Sequence, residues 1–235
     1  MNPYLAEFFG TTILIVLGEG VVAGVVLKGT KSENAGWLTV VFAWALAVTL
    51  AIYAVGHISG AHLNPAVSIA LAFAGDFSWS LVPGYIAAQI GGAFTGAVVV
   101  WIYYYPFWEK TEDANGKLAV FCTAPAIRAT VSNFVSEFVA TAILIMGLLF
   151  IGANKFADGL NPLIVGCLIA AIGLSLGGTT GFAINPARDL GPRIAHFILP
   201  IPGKRDSDWS YSWIPVAGPI AGAVFGAWMF SILFN

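Results

Sequence analysis

Ser59-Gly60-Ala61-His62-Leu63-Asn64-Pro65-Ala66-Val67 decides the fold once it is set beside Gly181-Phe182-Ala183-Ile184-Asn185-Pro186-Ala187-Arg188-Asp189. The two stretches share one tripeptide, Asn64-Pro65-Ala66 and Asn185-Pro186-Ala187, placed once in each half of a very apolar chain. Asn is a strong helix N-cap, because its side-chain oxygen accepts an otherwise unpaired N–H of the first turn. Pro suits the next position, where its missing N–H costs nothing and its φ is already helical. Each tripeptide therefore predicts a helix start that follows a non-helical, glycine-containing run. The helices they open are short, covering about 64–74 and 185–198. At 1.5 Å per residue, the first reaches roughly half way across a ~30 Å hydrocarbon core.

Outward from these starts, six apolar stretches are long enough to cross a bilayer: about 4–27, 37–57, 81–105, 132–153, 159–178 and 211–234. The 235 residues are 58% hydrophobic and 9% charged, against about 25% charged in soluble domains, which marks a polytopic membrane protein. A net charge of −2 offers no basic surface for nucleic acid. Cys122 and Cys167 lack metal-ligand spacing and read as buried small hydrophobes. No metal or cofactor is expected. No nucleophile–base pair or phosphate loop stands out, so the chain does not read as an enzyme. Met1-Asn2-Pro3-Tyr4 carries no basic residue and Glu7 interrupts the apolar run after it, so the first stretch reads as a retained span.

The chain repeats itself. Ala6 to Ile15 aligns with Ser136 to Ile145, and the step from Glu7 to Glu137 is the step from Gly92 to Gly222 and from Gly96 to Gly226. The first repeat covers about 1–105 and the second about 132–235, joined by a polar connection, about 106–131, that contains Glu109, Lys110, Glu112, Asp113 and Lys117. No linker separates foldable units, so 1–235 reads as one transmembrane domain. Three spans per repeat is an odd number, so the second repeat is inverted. Inverted repeats with broken helices hold their site near the midplane. The polar start of a half-helix is tolerated there only inside protein or beside a water-filled cavity. The expected fold is all-α, with six transmembrane helices and two half-membrane helices in an inverted repeat.

Helix N-termini carry about half a positive charge each, so two facing starts oppose a cation. The amides of Asn64 and Asn185 can offer N–H donors there while their oxygens cap the helices. The non-helical residues Gly60, Ala61, His62 and Leu63, and Gly181, Phe182, Ala183 and Ile184, have carbonyls free to form a file of acceptors. Arg188 is a charge on the first turn of a half-helix, and an intramembrane charge marks a site by default. Glu7 and Glu137 read as anchors that accept loop N–H groups, with a proton relay as the alternative. The paired glycines read as helix contacts. Lys28, Lys31, Lys110, Lys117, Arg128, Lys204 and Arg205 fall on the side opposite the termini, and the positive-inside tendency would then put the termini outside.

The two loops and the repeat resemble the major intrinsic proteins, the aquaporins and glycerol facilitators, over nearly the whole chain. The resemblance implies cytoplasmic termini, against the Lys/Arg count, and a homotetramer in the cell membrane with one pore per subunit. It assigns Arg188 to a selectivity filter with Trp44, Gly173 and Phe182. Water-selective relatives usually have His where Gly173 stands, and Gly opens the filter. Trp44 and Phe182 would face carbon atoms while Arg188 donates to hydroxyls, an arrangement that suits glycerol. Asp189, and Pro215 followed by Val216, also resemble the glycerol-conducting branch. The implied function is a passive channel for glycerol and other small uncharged solutes, with some water, that excludes protons and ions. The alternatives are a secondary transporter, a predominantly water-conducting aquaporin, or a closed-pore structural protein similar to the lens members. A transporter would need a titratable or ion-binding group at the midplane, where the half-helix starts supply only Asn64 and Asn185.

Overall fold

The computed structural model describes residues 2–234. The first repeat builds α1 (Pro3–Val26), α2 (Trp37–Ser59), the short α3 (Pro65–Ala74) and α4 (Val82–Tyr103). The second builds α7 (Thr130–Gly152), α8 (Asn161–Leu176), the short α9 (Pro186–Ile198) and α10 (Ile214–Phe234). Five of these, α1, α2, α4, α7 and α10, are long and apolar enough to cross a membrane. α8, with 16 residues, is shorter than the expected stretch of about 159–178. Gly159 with positive φ stands before it, and Gly177 and Gly178 follow it. Leu38, Phe42, Leu46 and Leu50 recur every fourth residue on α2 and are all exposed, an apolar stripe suited to lipid. The chain is a multi-pass membrane protein.

Two expectations need correction. The connection at about 106–131 is not a plain polar loop: it carries α5 (Tyr105–Lys110) and α6 (Ala114–Phe121). Asp113 caps α6 by accepting from the Asn115 N–H at 2.9 Å. Apolar residues interspersed among its charges are buried, and Trp108 stacks on Phe121 with ring centroids 5.6 Å apart. α6 packs on α1 and α9, so the connection forms a cover over the bundle. The second correction concerns Cys167, which is exposed on α8 whereas Cys122 is buried. On a helix that faces lipid, the apolar surroundings a thiol favours need not be protein.

Close helix packing follows the repeat. A Cβ on Gly92 would lie 2.3 Å from the Phe8 carbonyl oxygen, and one on Gly222 would lie 2.1 Å from that of Phe138. These glycines therefore let α1 meet α4, and α7 meet α10, backbone to backbone. The short helices cross between repeats. α3 packs on α10 and α9 packs on α4, so each half fills a gap in the other.

Candidate functional site

The site is the junction where α3 and α9 begin. The Asn64 Oδ1 accepts from the Ala66 N–H at 2.9 Å, and the Asn185 Oδ1 accepts from Ala187 at 3.0 Å and Arg188 at 3.2 Å. Pro65 and Pro186 open their helices, and Ala66 and Ala187 are buried. The amide nitrogens reach across to the opposite repeat. Asn64 Nδ2 donates to the Ile184 carbonyl and Asn185 Nδ2 to the Leu63 carbonyl, each at 2.8 Å. An amide carries two N–H donors, so each Asn commits one to the opposing loop and keeps the other for the cavity both residues line.

The loops before the tripeptides are built alike. Gly60 and Gly181 have φ of 80° and 83°, in the left-handed region that glycine adopts freely. Ala61 and Leu63 have φ of 49° and 54°, and Phe182 and Ile184 have 39° and 42°. Residues with a Cβ cost about 1–3 kcal/mol each in such conformations, which persist only where the surroundings hold them. Two buried carboxylates do the holding. Glu7 accepts from the Ser59 hydroxyl at 2.6 Å, the His62 N–H at 2.9 Å, the Leu63 N–H at 2.6 Å and Gln89 Nε2 at 2.8 Å. Glu137 accepts from the Thr180 hydroxyl at 2.6 Å, the Ala183 N–H at 3.0 Å and the Ile184 N–H at 2.9 Å. The His62 ring is fixed by Ser68 Oγ at 3.0 Å and by the rings of Phe77 and Tyr85 at 4.5 and 4.9 Å.

A cavity of about 800 Å³ runs past the junction. Gly60, Ala61, His62 and Leu63 line it from the first loop; Phe182, Ala183 and Ile184 line it from the second. Gly181 lies off that wall, bordering Thr123. Trp44 and Arg188 line it together, the guanidinium carbon 4.4 Å from the centre of the indole ring. Phe182 completes an aromatic corner. Gly173 is not among the residues lining the cavity; a Cβ there would lie 2.7 Å from Val41 Cγ1 and 3.0 Å from Phe182 Cζ. At Gly177, one turn on, a Cβ would lie 2.6 Å from Phe182 Cδ1. The two glycines form a groove that receives the Phe182 ring. Trp37, the first residue of α2, closes that groove. Its Nε1 donates to the Gly173 carbonyl at 3.2 Å, and its ring meets Phe182 edge-on at 5.7 Å.

Arg193 and Gln89 escaped sequence reasoning, and so did the bonds made by Asp189, which the sequence marked only by resemblance. Asp189 accepts from the Thr123 N–H at 2.8 Å, the Thr123 hydroxyl at 2.7 Å and Arg193 Nε at 2.8 Å. Arg193 Nη1 donates to the Ser207 and Asp208 carbonyls at 2.8 and 3.1 Å, so this fully buried ion pair ties α9 to the loops around it. The Asp–Arg spacing of four on one helix was the available signal. Gln89 bonds Glu7 and, at 3.1 Å, Ser68, and nothing in its local sequence marked it.

Known proteins place this architecture. The sequence pattern of the family described as "Major intrinsic protein" matches residues 1–230. The chain is 62% identical over 234 residues to the "Probable glycerol uptake facilitator protein" of Thermotoga maritima, covering 100% of both chains. It is 58% identical over 235 residues to the "Glycerol uptake facilitator protein" of Bacillus subtilis, covering 100% of this chain and 86% of that one. The X-ray structure of the aquaglyceroporin from Plasmodium falciparum superposes with a TM-score of 0.86 at 32% identity, covering 98% of this chain and 95% of that one.

Proposed function

Since this chain belongs to the major intrinsic protein family, we propose that it is a passive channel for glycerol and other small uncharged solutes. It also passes some water and excludes protons and ions. The observation that carries this reading is the crossed pair of bonds from Asn64 to Ile184 and from Asn185 to Leu63. They hold two helix N-termini, each worth about half a positive charge, against one cavity. The remaining N–H of each Asn points a passing water's oxygen toward the junction. Its hydrogens then face away on both sides, which breaks a continuous proton wire. Cations meet the positive helix ends.

The filter is Trp44, Phe182 and Arg188, with Gly173 acting from behind. Trp44 and Phe182 offer faces to carbon, and Arg188 donates to hydroxyls, so a molecule with one C–H face and one O–H face is stripped of water at least cost. Gly173 and Gly177 add no side chain beside the Phe182 ring, leaving room for a solute wider than water. The carbonyls of residues 60–63 and 182–184 provide successive acceptors along the route. Glu7 and Glu137 hold the loops and take no part in proton transfer, since their oxygens are already engaged by loop donors. The whole chain acts as one channel domain, assembles as a homotetramer in the cell membrane with cytoplasmic termini, and catalyses no reaction.

The test is stopped-flow light scattering of proteoliposomes with glycerol, dihydroxyacetone, urea and water, with and without an imposed proton gradient. Downhill glycerol flux that does not saturate at low concentration and ignores the gradient is expected. Gradient-driven accumulation, or proton current comparable with solute flux, refutes the channel reading in favour of a transporter.

A further inference from the structure

Trp37 heads α2 with 42% of its surface exposed. A tryptophan at the end of a membrane helix commonly anchors the interface, its polar edge at headgroup level. Here the N–H is committed inside the protein. α8 ends at Leu176, so the Gly173 carbonyl is among the last four, which lack an intrahelical donor. Trp37 Nε1 donates to that carbonyl at 3.2 Å. The indole also meets the Phe182 ring edge-on, with centroids 5.7 Å apart and planes at 87°. Its Cζ2 lies 2.8 Å from where a Cβ on Gly177 would stand. Spacing explains how one helix reaches all of this. Trp37, Val41 and Trp44 recur at i, i+4 and i+7, which is one face of α2. Trp44 lines the cavity, Val41 crowds Gly173, and Trp37 meets Phe182 without being among the residues that line the cavity.

The backbone of Phe182 is fixed on both sides. The Gly181 N–H donates to the Gly177 carbonyl at 2.9 Å, and Glu137 accepts from the Ala183 and Ile184 N–H groups at 3.0 and 2.9 Å. Where the ring lies is a separate matter, decided by what packs on it. Gly173 and Gly177 border the ring but bring no side chain. Trp37 brings one, so Phe182 borders both the cavity and an indole that lies outside it. Taking Phe182 as a wall of the selectivity filter, as the proposed function does, we propose that Trp37 is a positioning residue that sets the width of the filter by holding the Phe182 ring. It touches no solute and acts only through that ring. Its bond to the Gly173 carbonyl fixes the indole against the end of α8, so the ring it holds is placed relative to two helices at once.

The consequence is read in size selection. Removing a packed side chain leaves space that its neighbours fill in part. Without the indole, the Phe182 ring relaxes toward the space it leaves, and the opening beside Trp44 and Arg188 grows. The test uses the full chain in proteoliposomes and stopped-flow light scattering with glycerol, erythritol and ribitol, a series that lengthens by one carbon at a time. All three are measured on one vesicle preparation, so the amount of protein incorporated cancels in their ratios. Trp37→Ala should raise the ribitol-to-glycerol permeability ratio about tenfold, a change of the size that one methylene of fit commands. Trp37→Phe returns a ring without the N–H and should bring the ratio to within about twofold of the unmodified protein. A residue that merely stabilised the bundle would lower all three permeabilities together and leave the ratio alone. A folded Ala variant with an unchanged or lower ratio therefore overturns the proposal. A Phe variant as permissive as Ala does so too, because the N–H bond and not the ring contact would then set the width. Should the Ala variant fail to fold, Trp37→Leu, which has neither ring nor N–H, is read in the same series with the same expectation. If neither folds, Trp37 is a structural residue and the proposal falls. Loss of glycerol flux in the unmodified protein would refute the channel reading instead.

Discussion

Removing the Glu7 carboxylate tests how the first loop is held. Its oxygens serve four donors: the Ser59 hydroxyl, the His62 and Leu63 N–H groups and Gln89 Nε2. In Glu7→Leu, Ser59 can fall back on the Val55 carbonyl, which already lies at 3.5 Å, and Gln89 retains Ser68 at 3.1 Å. The two backbone N–H groups have no such alternative. At about 1–3 kcal/mol for each buried donor left unpaired, the Leu variant loses about 2–6 kcal/mol. Glu7→Gln keeps one oxygen, able to serve Ser59 and His62. Its new NH2 can donate to Gln89 Oε1, which has no partner now, once that amide flips. Only the Leu63 N–H is then stranded, so the loss is about 1–3 kcal/mol. Thermal unfolding in detergent should rank the unmodified protein above the Gln variant and the Gln variant above Leu. Glycerol flux per folded molecule should survive in Gln. Equal unfolding temperatures for all three would refute the anchor role, and a normally folded Gln variant without transport would point to proton relay.

Three further outcomes follow from the packing. Gly173→His drives the imidazole into Val41 and the Phe182 ring, which must swing toward the cavity; glycerol permeability should fall far more than water permeability, measured on one vesicle preparation. Unchanged glycerol flux would mean the Phe182 ring has room to move elsewhere. Gly222→Ala places a methyl against the Phe138 carbonyl and should destabilise by about 1–3 kcal/mol, as should Gly92→Ala against Phe8 in the other repeat; thermal unfolding of both variants checks the symmetry. Arg193→Met leaves the Asp189 charge buried without its main partner and should cost about 3–5 kcal/mol in the same assay, far more than the surface change Arg205→Met.

The legible parts of the fold share a physical cause. Asn64-Pro65 and Asn185-Pro186 announce helix starts because capping is settled within one turn of chain. Glu7 and Glu137 stand out because the repeat supplies a second copy of each. What stayed hidden depends on long-range geometry. The Asn64 bond to Ile184 joins residues 120 apart, and no local pattern encodes which carbonyl the amide will meet. Gly173 is aligned with the filter by resemblance, but only the packed structure shows that the Phe182 ring and Val41 crowd the place where its side chain would be. α5 and α6 were obscured because their buried Trp108, Leu118, Val120 and Phe121 sit among charges that suggest a solvated loop.

The crossed amide bonds also bear on how the protein is made. Leu63 and Asn64 emerge during synthesis with a carbonyl and an amide whose partners, Asn185 and Ile184, lie in the last quarter of the chain. Until those residues arrive, the Leu63 carbonyl and the Asn64 amide N–H lack these partners, in an environment where an unpaired backbone group is costly. The first half can insert its long helices, but it cannot finish its own loop. Completion of the pore is therefore a late event that requires both repeats to be present in opposite orientations, and the junction inspects the topology of the whole chain before it closes.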